Sequence, residues 1–89
     1  VVARIAAGTR EHAQAAVDAA QAAFPTWAAM PPGQRQRLFL AAADIVERRA
    51  DDLVRLLAAE TGTASGFARF QIRWSADLLR QAANWGYLP

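Results

Sequence analysis

Eighty-nine residues make one small domain at most, with a core that is marginal without outside support. Every basic residue is arginine, and ten arginines against eight carboxylates leave a net charge of +2, too balanced for the electrostatic footprint of a nucleic-acid binder. The absence of cysteine excludes disulfides, thiolate metal sites and thiol nucleophiles from this stretch, and no apolar run approaches the ~18–20 residues of a membrane span, so a cytoplasmic protein with no nucleic-acid and no membrane partner is expected.

Residues 1–7 are β-branched at the front and are closed by Gly8, which predicts a short strand. A lone strand needs a pairing partner, and none follows. Thr9 is a predicted N-cap, with Glu11 in the first turn where a carboxylate favours the helix dipole. Ala13, Ala16, Val17, Ala20 and Phe24 recur at helical spacing over a first helix predicted at 9–24. Pro25 is expected to end it, with Thr26–Met30 as a connector whose Trp27 fills the gap to the next helix. His12, the single histidine, has no nucleophile or metal-ligand partner at useful spacing and reads as a solvated side chain.

Pro31, Pro32 and Gly33 open a second helix predicted at 32–49, with Leu38, Phe39, Ala42, Ile45 and Val46 as its buried face. Arg35, Arg37, Asp44, Glu47 and Arg48 fall on its wet side. Asp51 or Asp52 is expected to cap a third helix at 51–61, which ends at Glu60-Thr61-Gly62 with glycine in the left-handed C-terminal position. Capping accounts for Asp51, Asp52 and Glu47 better than a catalytic carboxylate pair, and Glu60 beside Gly62 reads as structural.

The fourth helix, predicted at 65–86, organises the rest. At about 100° per residue, Arg69, Arg73, Asp77, Arg80 and Asn84 fall into one narrow polar stripe. The remaining positions are mostly apolar, an arc roughly twice the ~100° that a helix on a small bundle needs. Such a helix expects neighbours on more than one side. Core packing is the plain reading of all four aromatics of this helix and is expected for Phe67 and Trp85. Phe70 and Trp74, four apart, either pack in the core or line an apolar pocket wall. The arginine stripe, interleaved with Asp77, suits a salt-bridged face. The fold class is thus mostly α: about four helices after a short N-terminal strand. The five glycines are scattered, with no phosphate-cradling loop.

One pattern in this order of elements is familiar. Residues 15–27, Ala-Ala-Val-Asp-Ala-Ala-Gln-Ala-Ala-Phe-Pro-Thr-Trp, resemble the first helix and Trp-containing turn of the NAD(P)-dependent aldehyde dehydrogenase superfamily. Arg35, Leu38, Ala43 and Ile45 with Arg49-Ala50-Asp51-Asp52-Leu53 resemble its second and third helices. Glu60-Thr61-Gly62 is similar to its Glu-Thr-Gly turn, and Leu79-Arg80-Gln81-Ala82-Ala83-Asn84-Trp85 to the end of its fourth helix. The resemblance implies a parent α/β enzyme of several hundred residues with a Rossmann-like cofactor domain, a catalytic domain and an oligomerisation segment. The parent would oxidise an aldehyde to a carboxylic acid through a thiohemiacetal on a cysteine, with NAD or NADP as acceptor.

Residues 1–89 would then be its N-terminal helical fragment, inactive by itself and structural. The family's nucleophilic cysteine, general-base glutamate, oxyanion asparagine and cofactor glycine loop have no counterpart here, and Asn84 belongs to a helix end. The chain begins at Val1 rather than Met, which also suggests a piece of something longer, and its Ala- and Arg-rich, Lys-free composition suits a GC-rich bacterial coding sequence. Phe70 and Trp74 fall where the family's fourth helix lends side chains to the substrate tunnel. Phe67-Ala68-Arg69-Phe70-Gln71-Ile72-Arg73-Trp74 is similar to the branch acting on benzaldehyde-, salicylaldehyde- or vanillin-type substrates. The expected partners are the remainder of the parent and, for the piece alone, a second copy packed on the apolar helix 65–86, with no cofactor bound. The competing reading is a free-standing helical interaction module.

Overall fold

A computed structural model describes residues 2–88. Among them the chain forms four α-helices, α1 (Arg10–Ala29), α2 (Pro32–Arg48), α3 (Ala50–Thr61) and α4 (Ser65–Ala82), and ends in a 3₁₀ turn, η1 (Trp85–Tyr87). The predicted N-terminal strand is not formed. Val1 lies outside the described residues, and residues 2–8 adopt no regular element. With no second strand among the described residues, their backbone groups have no ladder to join, and β-branching alone does not make a strand.

The chain divides into two compact units, residues 1–30 and 31–89. The first is built on α1. Thr9 caps it in extended conformation, its hydroxyl accepting from the His12 N–H at 3.2 Å. His12 returns the bond: its Nδ1 accepts from the Thr9 N–H at 3.2 Å, completing a capping box in which histidine takes the usual place of Glu or Gln. The lone histidine thus has a structural task. Gln14 adds a bond to Asp18 at 2.9 Å, one turn on.

Pro25 does not end this helix. It sits inside α1, which continues to Ala29 through the predicted connector. Proline removes one donor and crowds the preceding turn, a cost of about 3 kcal/mol in a helix interior. The residues after it keep their own N–H groups, however, and the alanine-rich flanks carry the helix across the missing bond. Met30 closes it in extended conformation, its N–H reaching the Trp27 carbonyl at 3.2 Å.

The second unit is a three-helix arrangement in which α4 touches both α2 and α3, and η1 folds back on α2. Pro31 and Pro32 start α2 as predicted, since the first helical N–H groups need no partner inside the helix. A single residue, Arg49, separates α2 from α3, its N–H still bonded to the Ile45 carbonyl at 3.0 Å. Gly62 ends α3 at φ +69°, bonded to the Ala58 carbonyl at 2.8 Å, a left-handed geometry that any Cβ would strain.

The core is made of small residues. Ala43 on α2, Val54 on α3, and Ala68, Ala76 and Ala83 along and just past α4 are the buried apolar positions. Alanine at the contact lets helix backbones approach closely but removes little apolar area from water. The expected face of α2 is therefore shifted. Ala43, not Leu38 or Ile45, is its buried point, and Leu38 and Ile45 stand exposed. The larger side chains would hold the helices too far apart, so the tightest contact selects the smallest residue.

Helix α4 is also shorter than predicted. It stops at Ala82, and the chain turns through Ala83 and Asn84 into η1 instead of running on to 86. The turn is held to α2 from two sides. Gln36 Nε2 donates to Asn84 Oδ1 at 3.0 Å, and the Tyr87 hydroxyl donates to Gln36 Oε1 at 3.4 Å. Gly33 makes room for this, because a Cβ there would lie 3.2 Å from the Tyr87 hydroxyl oxygen. No described helix is long and apolar enough to cross a membrane.

Candidate functional site

The three-helix unit divides α4 lengthwise. Its inner side carries Ala68 and Ala76, with Ile72 and Leu79 half-buried, against α2 and α3. Its outer side carries Phe67, Phe70, Trp74 and Leu78, spaced three and four apart and 56, 54, 55 and 48% exposed. The broad apolar arc is thus half used. Phe67 and Trp85, expected in the core, are both exposed, because within this unit the alanine face already meets both α2 and α3.

The outer aromatics touch one another. The rings of Phe67 and Phe70 stack at 6.0 Å between centroids, and those of Phe70 and Trp74 lie 5.7 Å apart and tilted by 32°. Both separations are in the range where aromatic pairs attract. Beside them runs a groove of about 360 Å³ lined by Gly66, Arg69, Phe70, Arg73, Trp74 and Asp77. Phe70 and Trp74 are therefore brought together on one wall. Gly66, Arg69, Arg73 and Asp77 were not predicted as its lining, yet the spacing 66, 69, 70, 73, 74, 77 is that of a single helical strip, and it was legible in advance.

The charges around the groove are mostly satisfied from the neighbouring helices. Arg69 donates to Asp51 at 2.8 Å, tying α4 to α3. Arg80 donates to Glu47 at 2.8 Å and Asp44 at 3.2 Å, tying α4 to α2, with Asp77 a further 3.5 Å neighbour. The predicted stripe is thus an interhelix seam as much as a salt-bridged surface. It also corrects the capping expectation: α3 has no side-chain N-cap, Asp51 is held by Arg69, and Asp52 pairs with Arg55. With Arg49 continuing from α2, the first turn of α3 has no free extended residue to act as a side-chain cap.

These pairs perturb titration in one direction. Glu47 is held below its ordinary value of 4.5, chiefly by the Arg80 hydrogen bond, and Asp51 below 3.8, chiefly by that from Arg69. Its hydrogen bonds to Glu47 and Asp44 push the Arg80 guanidinium further up. A carboxylate lowered in the folded state contributes stability that is full above its unfolded value and lost as pH falls through the folded one. The melting temperature is therefore expected to fall as pH drops below about 4.5, with a shallower fall in a Glu47→Gln/Asp51→Asn double variant. Thermal melts between about pH 6 and pH 2 check this, and parallel curves for the two proteins would refute it. The pairs are exposed to solvent and screened by salt, so the effect of each is small.

No group of three or more His, Asp or Glu side chains suited to a metal ion occurs among the described residues. What the groove offers is two aromatic faces, two guanidinium groups and one carboxylate.

Comparison with known proteins gives this surface its context. The family model described as the aldehyde dehydrogenase family matches residues 1–87. The chain belongs to the aldehyde dehydrogenase family. It is 47% identical over 83 residues to vanillin dehydrogenase of Pseudomonas sp. (strain HR199 / DSM 7063), covering 93% of this chain and 17% of that protein. It is 37% identical over 84 residues to salicylaldehyde dehydrogenase of Pseudomonas putida, covering 94% and 17%. Lactaldehyde dehydrogenase of Escherichia coli (strain K12) is 31% identical over 85 residues, covering 96% and 18%. The chain thus spans less than a fifth of the length of these aldehyde dehydrogenases. No solved structure matches it.

Proposed function

We propose that these residues are the helical shoulder of a longer cytoplasmic, bacterial, NAD- or NADP-dependent enzyme that oxidises an aromatic aldehyde to its carboxylic acid. In this reading Phe70 and Trp74 form part of the substrate wall. The observation that carries it is the exposed aromatic strip of α4, whose rings touch one another, in a chain whose relatives include vanillin and salicylaldehyde dehydrogenases. An aromatic ring is held best by flat apolar surfaces that give up water on contact.

The residues present do not fit the cofactor itself. Among the described residues no strand leads into a glycine loop and helix, and the glycines stand apart. A Cβ at Gly8, Gly62 or Gly66 would meet nothing within 4 Å, while Gly33 and Gly86 lie against Tyr87 and Pro32. Hydride acceptance and the cysteine chemistry belong, on this reading, to the remainder of the parent. Residues 1–89 contribute positioning: α4 is clamped to α2 and α3 by Arg80 and Arg69, so its outer strip is presented on a fixed support.

The same exposed strip makes residues 1–89 expressed alone prone to self-association, since apolar surface left by missing neighbours is buried by a second copy. Native mass spectrometry of the natural gene product and of residues 1–89 expressed alone tests both statements. The expected results are a product of several hundred residues carrying a cysteine, active on aromatic aldehydes, and a fragment that is dimeric or larger. A natural product of this size without a cysteine overturns the enzyme reading in favour of an interaction module. A monomeric fragment overturns the self-association.

A further inference from the structure

The charges along the groove are unequally satisfied. Arg69 is held by Asp51 at 2.8 Å, and Asp77 lies 3.5 Å from Arg80. Arg73 lines the groove between them, adjacent in sequence to Trp74 and three residues after Phe70, and makes no hydrogen bond or ion pair among the described residues. The strongest acidic cluster nearby, Asp44 with Glu47, is occupied by Arg80, and Arg73 adds only a longer-range attraction to Glu47. The groove therefore presents two aromatic faces flanked by one guanidinium whose donors have no protein acceptor. At the Gly66 end a Cβ would meet nothing within 4 Å, which leaves open space along the strip.

We propose that Arg73 is a specificity-determining residue that binds an anionic ring substituent, a carboxylate or phenolate oxygen, of the aromatic aldehyde whose ring lies on Phe70 and Trp74. This rests on the aromatic-aldehyde reading above and adds the substituent class to it. The complementarity is physical. A guanidinium presents a planar fork of donors that matches a carboxylate and always carries its charge. Packing against two aromatic rings removes water from one side and strengthens the pairing. An unsubstituted ring gains the same aromatic contact but has nothing to offer Arg73.

The test uses the full-length gene product with benzaldehyde and 4-carboxybenzaldehyde as paired substrates. Arg73→Met is expected to raise KM for 4-carboxybenzaldehyde about tenfold or more, the order of a lost charge-assisted hydrogen bond. For benzaldehyde KM should stay within about twofold. Arg73→Lys should recover part of the loss, because the charge remains while the fork does not. Should Arg73→Met fail to fold, the wild-type enzyme still decides: KM for the carboxylated substrate should rise with added sodium chloride while that for benzaldehyde stays flat. Equal KM changes for both substrates, or no salt response, overturn the role of Arg73 while the aromatic reading stands. A wild-type enzyme that turns over neither compound overturns the aromatic reading itself, and the proposal with it.

Discussion

Ala76→Leu is expected to lower the melting temperature of the helical unit by about 4–24 °C. Ala76 is fully buried where α4 meets its neighbours, as are Ala43 and Ala68. Three extra carbons there have no cavity to enter, so they force off-rotamer side chains or push the helices apart, at about 1–3 kcal/mol. For a unit of this size each kcal/mol moves the midpoint by about 4–8 °C. Separation of the helices would also lengthen the Arg80 bonds to Glu47 and Asp44, so the loss should fall at the upper end of that range. Ala41→Leu, at an exposed position of α2, is the control and should change stability by less than about 0.5 kcal/mol. Thermal melts followed by circular dichroism check both. A wild-type midpoint for Ala76→Leu would mean that the alanine seam is not the packing core.

The second large effect concerns the outer side of the same helix. In the full-length enzyme, Trp74→Ala is expected to raise KM for aromatic aldehydes about tenfold while changing that for short aliphatic aldehydes by less than about twofold. Trp74 presents the largest flat surface on the groove, and its contact with Phe70 at 5.7 Å fixes the pair. Removing the indole takes away the ring's stacking partner and leaves Phe70 unsupported, a loss of about 1–2 kcal/mol specific to a flat apolar substrate. A short aliphatic aldehyde has no ring to lose contact with. Steady-state kinetics with both substrate types decide the point, and equal changes would remove Trp74 from the substrate wall. The two substitutions also separate the two faces of α4. Ala76→Leu should act mainly on stability, and Trp74→Ala, at a half-exposed position, mainly on KM.

Much of this molecule was legible in advance wherever a local rule operates. Thr9, Pro31-Pro32 and Gly62 mark helix ends through the chemistry of single turns, and the structure uses all of them. The pairing of Phe70 with Trp74 follows from four-residue spacing on any helix. Membership of the aldehyde dehydrogenase family was carried by the order and spacing of the same segments.

Where local rules competed, packing decided. Pro25 disfavours helix continuation, but its penalty falls on one bond, and flanking alanines outweigh it, so α1 runs through to Ala29. Asp51 and Asp52 satisfy a capping pattern, yet their acceptors went to Arg69 and Arg55 once α3 joined directly to α2. Residues 2–7 favour extended conformation, but pairing is non-local and no partner strand is present among the described residues.

The sequence by itself determined that these residues form helices, roughly where those helices begin, and which family they belong to, because each follows from backbone chemistry within a few residues or from their order along the chain. Only the tertiary structure decided which half of the broad apolar arc of α4 faces inward. Phe67, Phe70, Trp74 and Leu78 are the more hydrophobic half, and composition alone would bury them. The alanine half won because α2 and α3 approach closely only where side chains are small, and because Arg69 and Arg80, flanking it, reach Asp51, Glu47 and Asp44 in that orientation.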